Sequence, residues 1–251
     1  MNHPNQNQLL DALPQRVKDR ITPQLRLVEL PLGKSIYETG QDVNYVYFPI
    51  DCIVSLICVT LDGHSAEISV VGREGIVGIS VFLGGVSTTS QAIVQSAGSA
   101  YRMPASELRR EFDNDAVLRM LMLAYTQSLM AQVSQTAMCN RYHTIEQQLC
   151  RWLLQSMDRL SSGKLAMTQE LIANMLGVRR EGVTEAAGKL QKRGVIRYWR
   201  GRINVLDRPK LEALCCECYA MAKKETDRLM ASAKDLQPTH GKTSNSQRAY
   251  F

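Results

Sequence analysis

In this sequence of 251 residues, a short helical segment at 7–22 is followed by runs typical of strands, and the spacing of apolar residues becomes mainly helical at about residue 105. Before that point, short alternating runs such as YVYFPI and CIVSLICVTL are punctuated by glycines and prolines, which is typical of strands in a sandwich or barrel. After it, apolar residues recur at helical spacing. The sequence therefore predicts an α+β fold, with a β-roll over residues 10–113, a long helix over 114–140 and a helical domain over 141–220. The polar residues 232–251 predict a disordered tail.

The long helix carries two neighbouring apolar stripes. A helix of about 25 residues spans roughly 37 Å, which is longer than a small β-roll needs. One stripe can therefore cover the roll while the other buries a second copy of itself. The second stripe contains Leu123, Met130, Val133 and Ala137. We assign the dimer interface mainly to the first stripe, with the candidate residues Leu118, Met122, Tyr125, Leu129, Val133 and Thr136.

Residues 168–206 predict two helices with a short glycine turn between them, followed by a basic hairpin. Thr168 can cap the first helix, and Gly177 stands where a helix C-terminal glycine is expected. The second helix covers 179–193. This order is that of a winged helix-turn-helix, whose hairpin strands are predicted over 195–199 and 202–206.

Two glycines, Gly182 and Gly188, lie inside the second helix. Each costs about 1 kcal/mol relative to alanine in a helix interior, and this cost indicates close approach by another surface. We expect Gly182 to keep a side chain out of the way of a DNA duplex. We expect Gly188 to let another helix pack nearby.

Positive charge is concentrated in the C-terminal part of the chain. From residue 140 to the end, 20 Lys and Arg stand against 11 Asp and Glu, whereas 10 stand against 13 before it. This imbalance favours a polyanionic partner for that part alone. Guanidinium groups at the start of a recognition helix suit guanine N7 and O6, and those on a hairpin suit phosphates. The DNA-binding candidates are Thr168, Gln169, Arg179, Arg180, Glu181, Thr184, Glu185, Lys189, Arg200 and Arg202.

The segment TQELIANMLGVRREGV at 168–183 resembles the helix-turn-helix of the Crp–Fnr superfamily, the bacterial transcription regulators related to the catabolite activator protein. The segment LPLGKSIYETGQ is similar to the opening of that family's effector domain. The resemblance covers about residues 10–220. It implies a double-stranded β-helix of the cyclic-nucleotide-binding type, a dimerisation helix and a winged helix-turn-helix.

The same resemblance implies a cytoplasmic homodimer that binds a palindromic operator in double-stranded DNA and works with RNA polymerase. Arg180 and Glu181 match the family's base-reading pair. Glu185 stands where the family often has Arg, and this departure implies a different operator sequence.

The effector region departs further from the family pattern. Ile79 replaces the Glu that holds a ribose hydroxyl in the family's cyclic-nucleotide binders, and TSQ at 89–91 stands where they carry an Arg. No Lys or Arg occurs between Arg73 and Arg102, and an uncompensated buried phosphate is costly. We therefore expect no cyclic AMP binding by the usual contacts, and the small-molecule effector stays unknown.

The seven cysteines predict free thiols rather than a sensor or a disulfide scaffold. The first of them is Cys52, so the N-terminal cysteine set of the family's iron–sulfur members is missing. The segment CCEC contains Cys215, Cys216 and Cys218, but it supplies at most two ligands on one helix face, whereas zinc needs about four. We expect no metal and no cofactor, and we expect these thiols to be dispensable for DNA binding.

Two features predict a cytoplasmic protein without a membrane segment. The first 20 residues have no apolar core of the kind a signal peptide needs. The longest uncharged stretch, 75–101, holds an apolar run of only 11 residues, whereas a membrane span needs about 20.

Two alternatives remain open at this stage. A cupin-like enzyme would need a His and Glu metal cluster in the roll, where His64 and Glu67 form the only near pair. We interpret that pair as exposed turn residues and expect no catalysis. A ligand-sensing β-roll with a vestigial DNA-binding half is the other alternative, and the basic surface of 179–202 argues against it.

Overall fold

The computed structural model describes residues 6–85, 87–160 and 164–235. Two short helices, α1 (Gln8–Asp11) and α2 (Gln15–Ile21), come first. Single turns of 3-10 helix cover Thr22–Gln24 and Ile79–Phe82. Seven strands follow α2: β1 (Arg26–Leu30), β2 (Ser35–Tyr37), β3 (Tyr45–Pro49), β4 (Ile53–Val59), β5 (Ser65–Val71), β6 (Gln91–Ser96) and β7 (Gly98–Pro104).

The seven strands form two antiparallel sheets, in the orders β1-β7-β3 and β2-β6-β4-β5. Phe48 and Met103 of the first sheet share one buried core with Val54 and Val94 of the second. Gly63 turns the chain between β4 and β5 with a φ of +87°, as its place in an Asp-Gly pair predicts. The expected β-roll is confirmed.

Two helices connect the roll to the C-terminal domain: α3 (Ala105–Asn114) and α4 (Ala116–Tyr142). The Asp115 carboxylate accepts hydrogen bonds from the backbone N–H groups of Val117 and Leu118, which caps α4. The helix ends at His143, whose backbone is extended with φ −105° and ψ 153°. The next helix, α5 (Ile145–Arg159), begins after a capping box formed by Thr144 and Gln147.

The C-terminal domain has the predicted order of helix, turn, helix and hairpin. Its elements are β8 (Lys164–Ala166), α6 (Gln169–Leu176), α7 (Arg180–Lys192), β9 (Ile196–Trp199), β10 (Arg202–Val205), α8 (Arg208–Leu214) and α9 (Glu217–Asp235). The three strands form one sheet in the order β8-β10-β9. The α+β architecture inferred from the sequence is therefore correct.

The last helix, α9, folds back along α4. Cys218, Tyr219, Ala222 and Leu229 lie on its buried side. The tail predicted for 232–251 is wrong at its start, because 232–235 belong to α9, and 236–251 lie outside the described residues. Across the parts of the chain that the structure describes, none of the helices combines the length and apolarity that crossing a membrane requires.

The stripe assigned to the dimer interface is largely buried inside one chain, and this assignment is corrected. Five of its six residues are buried, namely Leu118, Met122, Tyr125, Leu129 and Thr136, and Val133 is half-buried. Side chains that fill their own chain's interior cannot leave it for a second copy without opening a cavity. The outward face of α4 instead carries exposed apolar side chains at Met120, Leu123, Met130, Met138 and Tyr142.

The C-terminal domain packs directly on the roll. The Arg159 guanidinium binds the Glu74 carboxylate, with an Nε–Oε1 distance of 2.7 Å. Ile57 of β4 is buried in the core of the C-terminal domain. A Cβ at Gly177 would lie 3.3 Å from the Ala66 Cβ, so the turn after α6 sits close against β5.

Candidate DNA-binding site

The helix-turn-helix is built by local signals at each end of α6. The Thr168 hydroxyl accepts a hydrogen bond from the Leu171 N–H and caps α6. Gly177 ends the helix in the left-handed conformation, with φ +66° and ψ 34°, which a residue with a Cβ adopts only at a cost. The chain then turns and starts α7 at Arg180.

The inner face of α7 anchors it in the domain. Val183, Ala186, Ala187 and Leu190 are buried and join the core that includes Trp152 of α5. Their spacing follows the helical period. The opposite face of α7 is thereby directed outward.

The roles expected for the two helical glycines are wrong. A Cβ at Gly182 would lie 2.5 Å from the Ile145 Cδ1, so this glycine lets α7 approach the start of α5. A Cβ at Gly188 would meet no atom within 4 Å. Gly182 therefore serves helix packing, whereas among the described residues the space that a Cβ at Gly188 would fill is open.

The outward surface of α7 carries the predicted recognition residues. Arg179, Arg180, Glu181 and Thr184 are exposed. The Thr184 hydroxyl donates a hydrogen bond to the Gln169 Oε1, at 2.8 Å, and so ties the outer face of α7 to the first residue of α6. Two guanidinium groups thus stand beside a helix N-terminus, where the helix dipole also favours anions.

Further along α7, the charges are paired with each other. The Lys189 ammonium contacts the Glu185 carboxylate, with an Nζ–Oε1 distance of 2.7 Å. A hydrogen bond from Lys189 lowers the pKa of Glu185, and the same bond raises the pKa of Lys189. Both side chains are exposed, so water and salt screen this pair and competing partners can replace it.

The hairpin that follows α7 presents two arginines. Trp199 pairs with Arg202 across the turn, so Arg200 and Gly201 form a two-residue loop. Both loop residues have positive φ, at +47° and +71°, as a type I′ turn requires. The Arg200 guanidinium lies 4.6 Å above the Trp199 ring, and Arg200 and Arg202 are exposed.

The structure thus places the ten DNA-binding candidates on three neighbouring elements: the start of α6, the outer side of α7 and the hairpin. Nine of them are exposed, and Gln169 is half-buried under its bond with Thr184. Sequence inspection missed Glu170, whose Oε2 lies 3.9 Å from the Arg180 Nε. Its position two residues after the cap Thr168, in the first turn of α6, was the available signal, because acidic residues favour the first turn of a helix.

The effector region of the roll holds no arginine in its interior among the described residues. Ile79 opens a turn of 3-10 helix and is half-buried. Arg73 is exposed, and the Arg102 guanidinium lies 4.3 Å above the ring of Tyr45, a partly exposed residue. The guanidinium groups that flank the effector segment in sequence are therefore both outside the core.

The pair His64 and Glu67 does not form the exposed turn pair that the sequence suggested. The His64 imidazole is exposed, but Glu67 is 7% exposed and accepts a hydrogen bond from the Ser55 hydroxyl at 2.6 Å. Burial raises the pKa of Glu67 to about 7. No potential metal-binding group with three or more His, Cys, Asp or Glu was found in the described part of the roll.

Comparison with known proteins identifies both domains. Residues 27–115 match the model of the Cyclic nucleotide-binding domain, and residues 147–214 match that of the Crp-like helix-turn-helix domain. A chain with these two domains in this order is a transcription regulator with a helix-turn-helix DNA-binding domain. It belongs to the Crp–Fnr superfamily. A search of curated protein sequences gave no significant match.

Solved structures of similar fold support the domain arrangement. FixK2 from Bradyrhizobium japonicum is 19% identical with a TM-score of 0.67, over 76% of this chain and 98% of that one. The c-di-GMP responsive global regulator CLP of Xanthomonas campestris is 14% identical with a TM-score of 0.61, over 76% and 99%. A CRP-family transcriptional regulator from Thermus thermophilus is 18% identical with a TM-score of 0.62, over 74% and 95%. At these identities the likeness establishes the fold alone.

Proposed function

We propose that the protein is a homodimeric, sequence-specific regulator that reads a palindromic DNA operator through residues 179–193. The observation that carries this proposal is the exposed pair Arg179 and Arg180 at the start of a helix whose inner face is buried. In helix-turn-helix proteins the N-terminal residues of the second helix reach base edges in the major groove. An enzymatic role is not part of this proposal.

Arg180 is the side chain proposed to specify bases. A guanidinium can donate two hydrogen bonds to guanine O6 and N7. Its contact with Glu170 is 3.9 Å long and exposed on both sides, so releasing it for DNA costs little. Thr184 fixes the Gln169 carbonyl oxygen, which leaves the Gln169 amide N–H groups to face a phosphate or a base.

The hairpin arginines are proposed to bind phosphates. Arg200 and Arg202 flank Gly201 at the tip of the wing, where their side chains can follow the backbone without reading sequence. Lys189 can add a third phosphate contact after leaving Glu185. Each phosphate contact releases condensed counterions, so affinity should fall steeply with salt.

Dimerisation is proposed to use the outward face of α4. Met120, Leu123 and Met130 are exposed there, and Gln127 and Ser134 continue the same alternating three- and four-residue spacing. That spacing is the a and d pattern of a two-helix coiled coil, in which polar residues fix the register. Two copies around a two-fold axis would read half-sites about 34–36 Å apart. A promoter-bound dimer of this kind would have RNA polymerase as its neighbouring partner.

The effector is proposed not to be cyclic AMP bound by the usual contacts. Burying its phosphate in the roll without a cation would cost several kcal/mol, and the flanking arginines at 73 and 102 lie outside the core. A different small-molecule effector, or none, fits this interior better.

The DNA-binding proposal can be tested by selection from randomised duplexes at two salt concentrations. Arg180→Ala should cost about 1–3 kcal/mol of binding free energy and relax the preference at one position of each half-site. Arg202→Ala should weaken binding to all sequences alike and lower the salt slope by about one unit per subunit.

A matched control is Arg110→Ala, which removes an exposed arginine from α3, on the roll. It should leave both the selected motif and the salt slope unchanged. The proposal fails if Arg180→Ala selects the wild-type motif at wild-type affinity, or if Arg202→Ala changes the motif.

A further inference from the structure

Four metal-binding side chains from two distant parts of the chain meet at the end of α4. They are Cys139 and His143, four residues apart on or just after α4, and Cys216 and Cys218, at the start of α9. Their ligand atoms all lie within 4.8 Å of one another. The three cysteines are buried and the histidine is partly buried. The segment at 215–218 supplies two ligands, the most that the sequence predicted for it, but Cys139 and His143 at the end of α4 supply two more.

The distances fit a tetrahedral metal ion. The sulfur atoms of Cys139 and Cys216 are 3.6 Å apart, and the Cys218 sulfur lies 3.5 Å from the His143 Nδ1. A tetrahedral zinc ion with Zn–S bonds of about 2.3 Å and Zn–N bonds of about 2.0–2.1 Å places its ligands roughly 3.5–3.8 Å apart. These two separations agree with such an ion, and the other ligand atoms lie within 4.8 Å of one another, close enough to meet around it.

A second, independent feature is the group that faces the other nitrogen of the imidazole. The Glu217 carboxylate lies 3.4 Å from the His143 Nε2. A carboxylate in this position holds the proton on Nε2 and leaves the Nδ1 lone pair for a metal. Histidines that bind metals in proteins almost always have a partner of this kind on their second nitrogen.

The surroundings also suit the charge of the complex. A zinc ion with three thiolates has a net charge of about −1. The buried Arg151 donates a hydrogen bond of 3.0 Å to the Thr136 hydroxyl, one turn before Cys139 on α4. A buried guanidinium bonded to the neighbouring turn of α4 offsets part of a buried negative charge at Cys139.

We propose that Cys139, His143, Cys216 and Cys218 form a closed Cys3His site for a divalent metal ion, with zinc as the preferred occupant. Three sulfur ligands and one imidazole select zinc over magnesium, calcium or manganese. Four protein ligands leave no open position, so the ion is structural rather than catalytic. This site lies outside the proposed DNA-reading surface and beyond the residues matched by either family model.

The site would join two helices across the junction between the domains. His143 is the extended residue that ends α4, directly before the cap of α5. Cys216 and Cys218 sit where α8 gives way to α9. A metal ion at this point therefore fixes the start of α9 to the end of α4 and restricts rotation of the C-terminal domain about residue 143.

The direct test is the metal content of the full chain, purified without a histidine tag under reducing conditions. Elemental analysis should find about one zinc per chain, and Co2+ added to the chelator-treated protein should give the intense visible absorption of a tetrahedral thiolate complex. Cys216→Ser, Cys218→Ser and His143→Ala should each abolish that absorption. Cys215→Ser changes the neighbouring thiol, which is outside the group of four, and should retain it.

A measurement on the unaltered chain covers the case in which these variants do not fold. Mass-spectrometric alkylation should show Cys139, Cys216 and Cys218 protected in the zinc-loaded protein and reactive after chelation, with α9 exchanging its amide hydrogens faster. Absence of bound zinc and of cobalt absorption in the reduced, folded protein would overturn the proposal. A Cys139–Cys216 disulfide that persists under these conditions, or equal metal loss in Cys215→Ser, would overturn it as well.

Discussion

Two neighbouring residues of α4 lie in different surroundings, one in the core and one on the surface. Substitutions at these two positions can therefore distinguish an effect on the proposed dimer contact from an effect on folding. Leu129 is 6% exposed in the core of the roll, whereas Met130 is 65% exposed on the outward face. Complete burial of an apolar side chain contributes about 1.5–3 kcal/mol, so burying the exposed part of Met130 contributes roughly 1–2 kcal/mol per chain. A two-fold symmetric interface contains Met130 from both copies, so Met130→Glu loses this burial free energy twice. We expect the dimer dissociation constant to rise by a factor of about 30 to 1000.

Sedimentation equilibrium over a range of protein concentrations measures this shift. Met130→Glu should keep the wild-type circular dichroism spectrum, because its side chain leaves no cavity in the single chain. Leu129→Glu should instead lose several kcal/mol of folding stability, since it places a carboxylate in an apolar core. Met221→Glu is the matched control, because Met221 is 53% exposed on α9 and should leave the dimer intact. A Met130→Glu variant that dimerises as tightly as wild type would refute the proposed interface.

Two further predictions concern stability. Glu67 holds its proton more tightly in the folded chain, where burial raises its pKa to about 7, so the free energy of unfolding should fall as the pH rises from about 4.5 to 7. Glu67→Gln should remove this slope and stabilise the protein at about pH 8 by up to roughly 3 kcal/mol, measured by urea unfolding; an unchanged slope would contradict it. Gly188→Ala should stabilise the C-terminal domain by about 1 kcal/mol, whereas Gly177→Ala, at φ +66° and 3.3 Å from the Ala66 Cβ, should destabilise it. Thermal unfolding of this matched pair would contradict the reasoning if both variants moved in the same direction.

Local signals in the sequence were sufficient to predict the order of elements. Asp115 and Thr168 cap helices where their residue types indicate, and Gly177 ends α6 in the left-handed conformation. Each of these features depends on side-chain and backbone chemistry within a few residues. The family resemblance carried by 168–183 depends on the same local pattern, and the match of residues 147–214 to the Crp-like helix-turn-helix domain confirms it.

Packing between distant parts of the chain could not be predicted from the sequence. Helical spacing shows that α4 has two apolar stripes, but spacing alone does not say which stripe meets the roll. The expectation for Gly182 was wrong for the same reason, because the atom it approaches, the Ile145 Cδ1, belongs to a separate helix. Glu67 is polar and next to a turn in sequence, yet it is buried, with Arg151, Trp152 and Arg159 of α5 among the groups that act on its carboxylate.

The cysteine cluster depends partly on local residue spacing and partly on packing between distant parts of the chain. Cys139 and His143 stand four residues apart, so a helix places them on one face, and that spacing was a readable signal for half of a metal site. The other half is 77 residues away along the chain and arrives only because α9 returns along α4. This return also bears on the proposed dimer surface. Among the described residues, the roll and α9 each cover one side of α4 and leave exposed the side that carries Met120, Leu123 and Met130, which is the side proposed to meet a second copy.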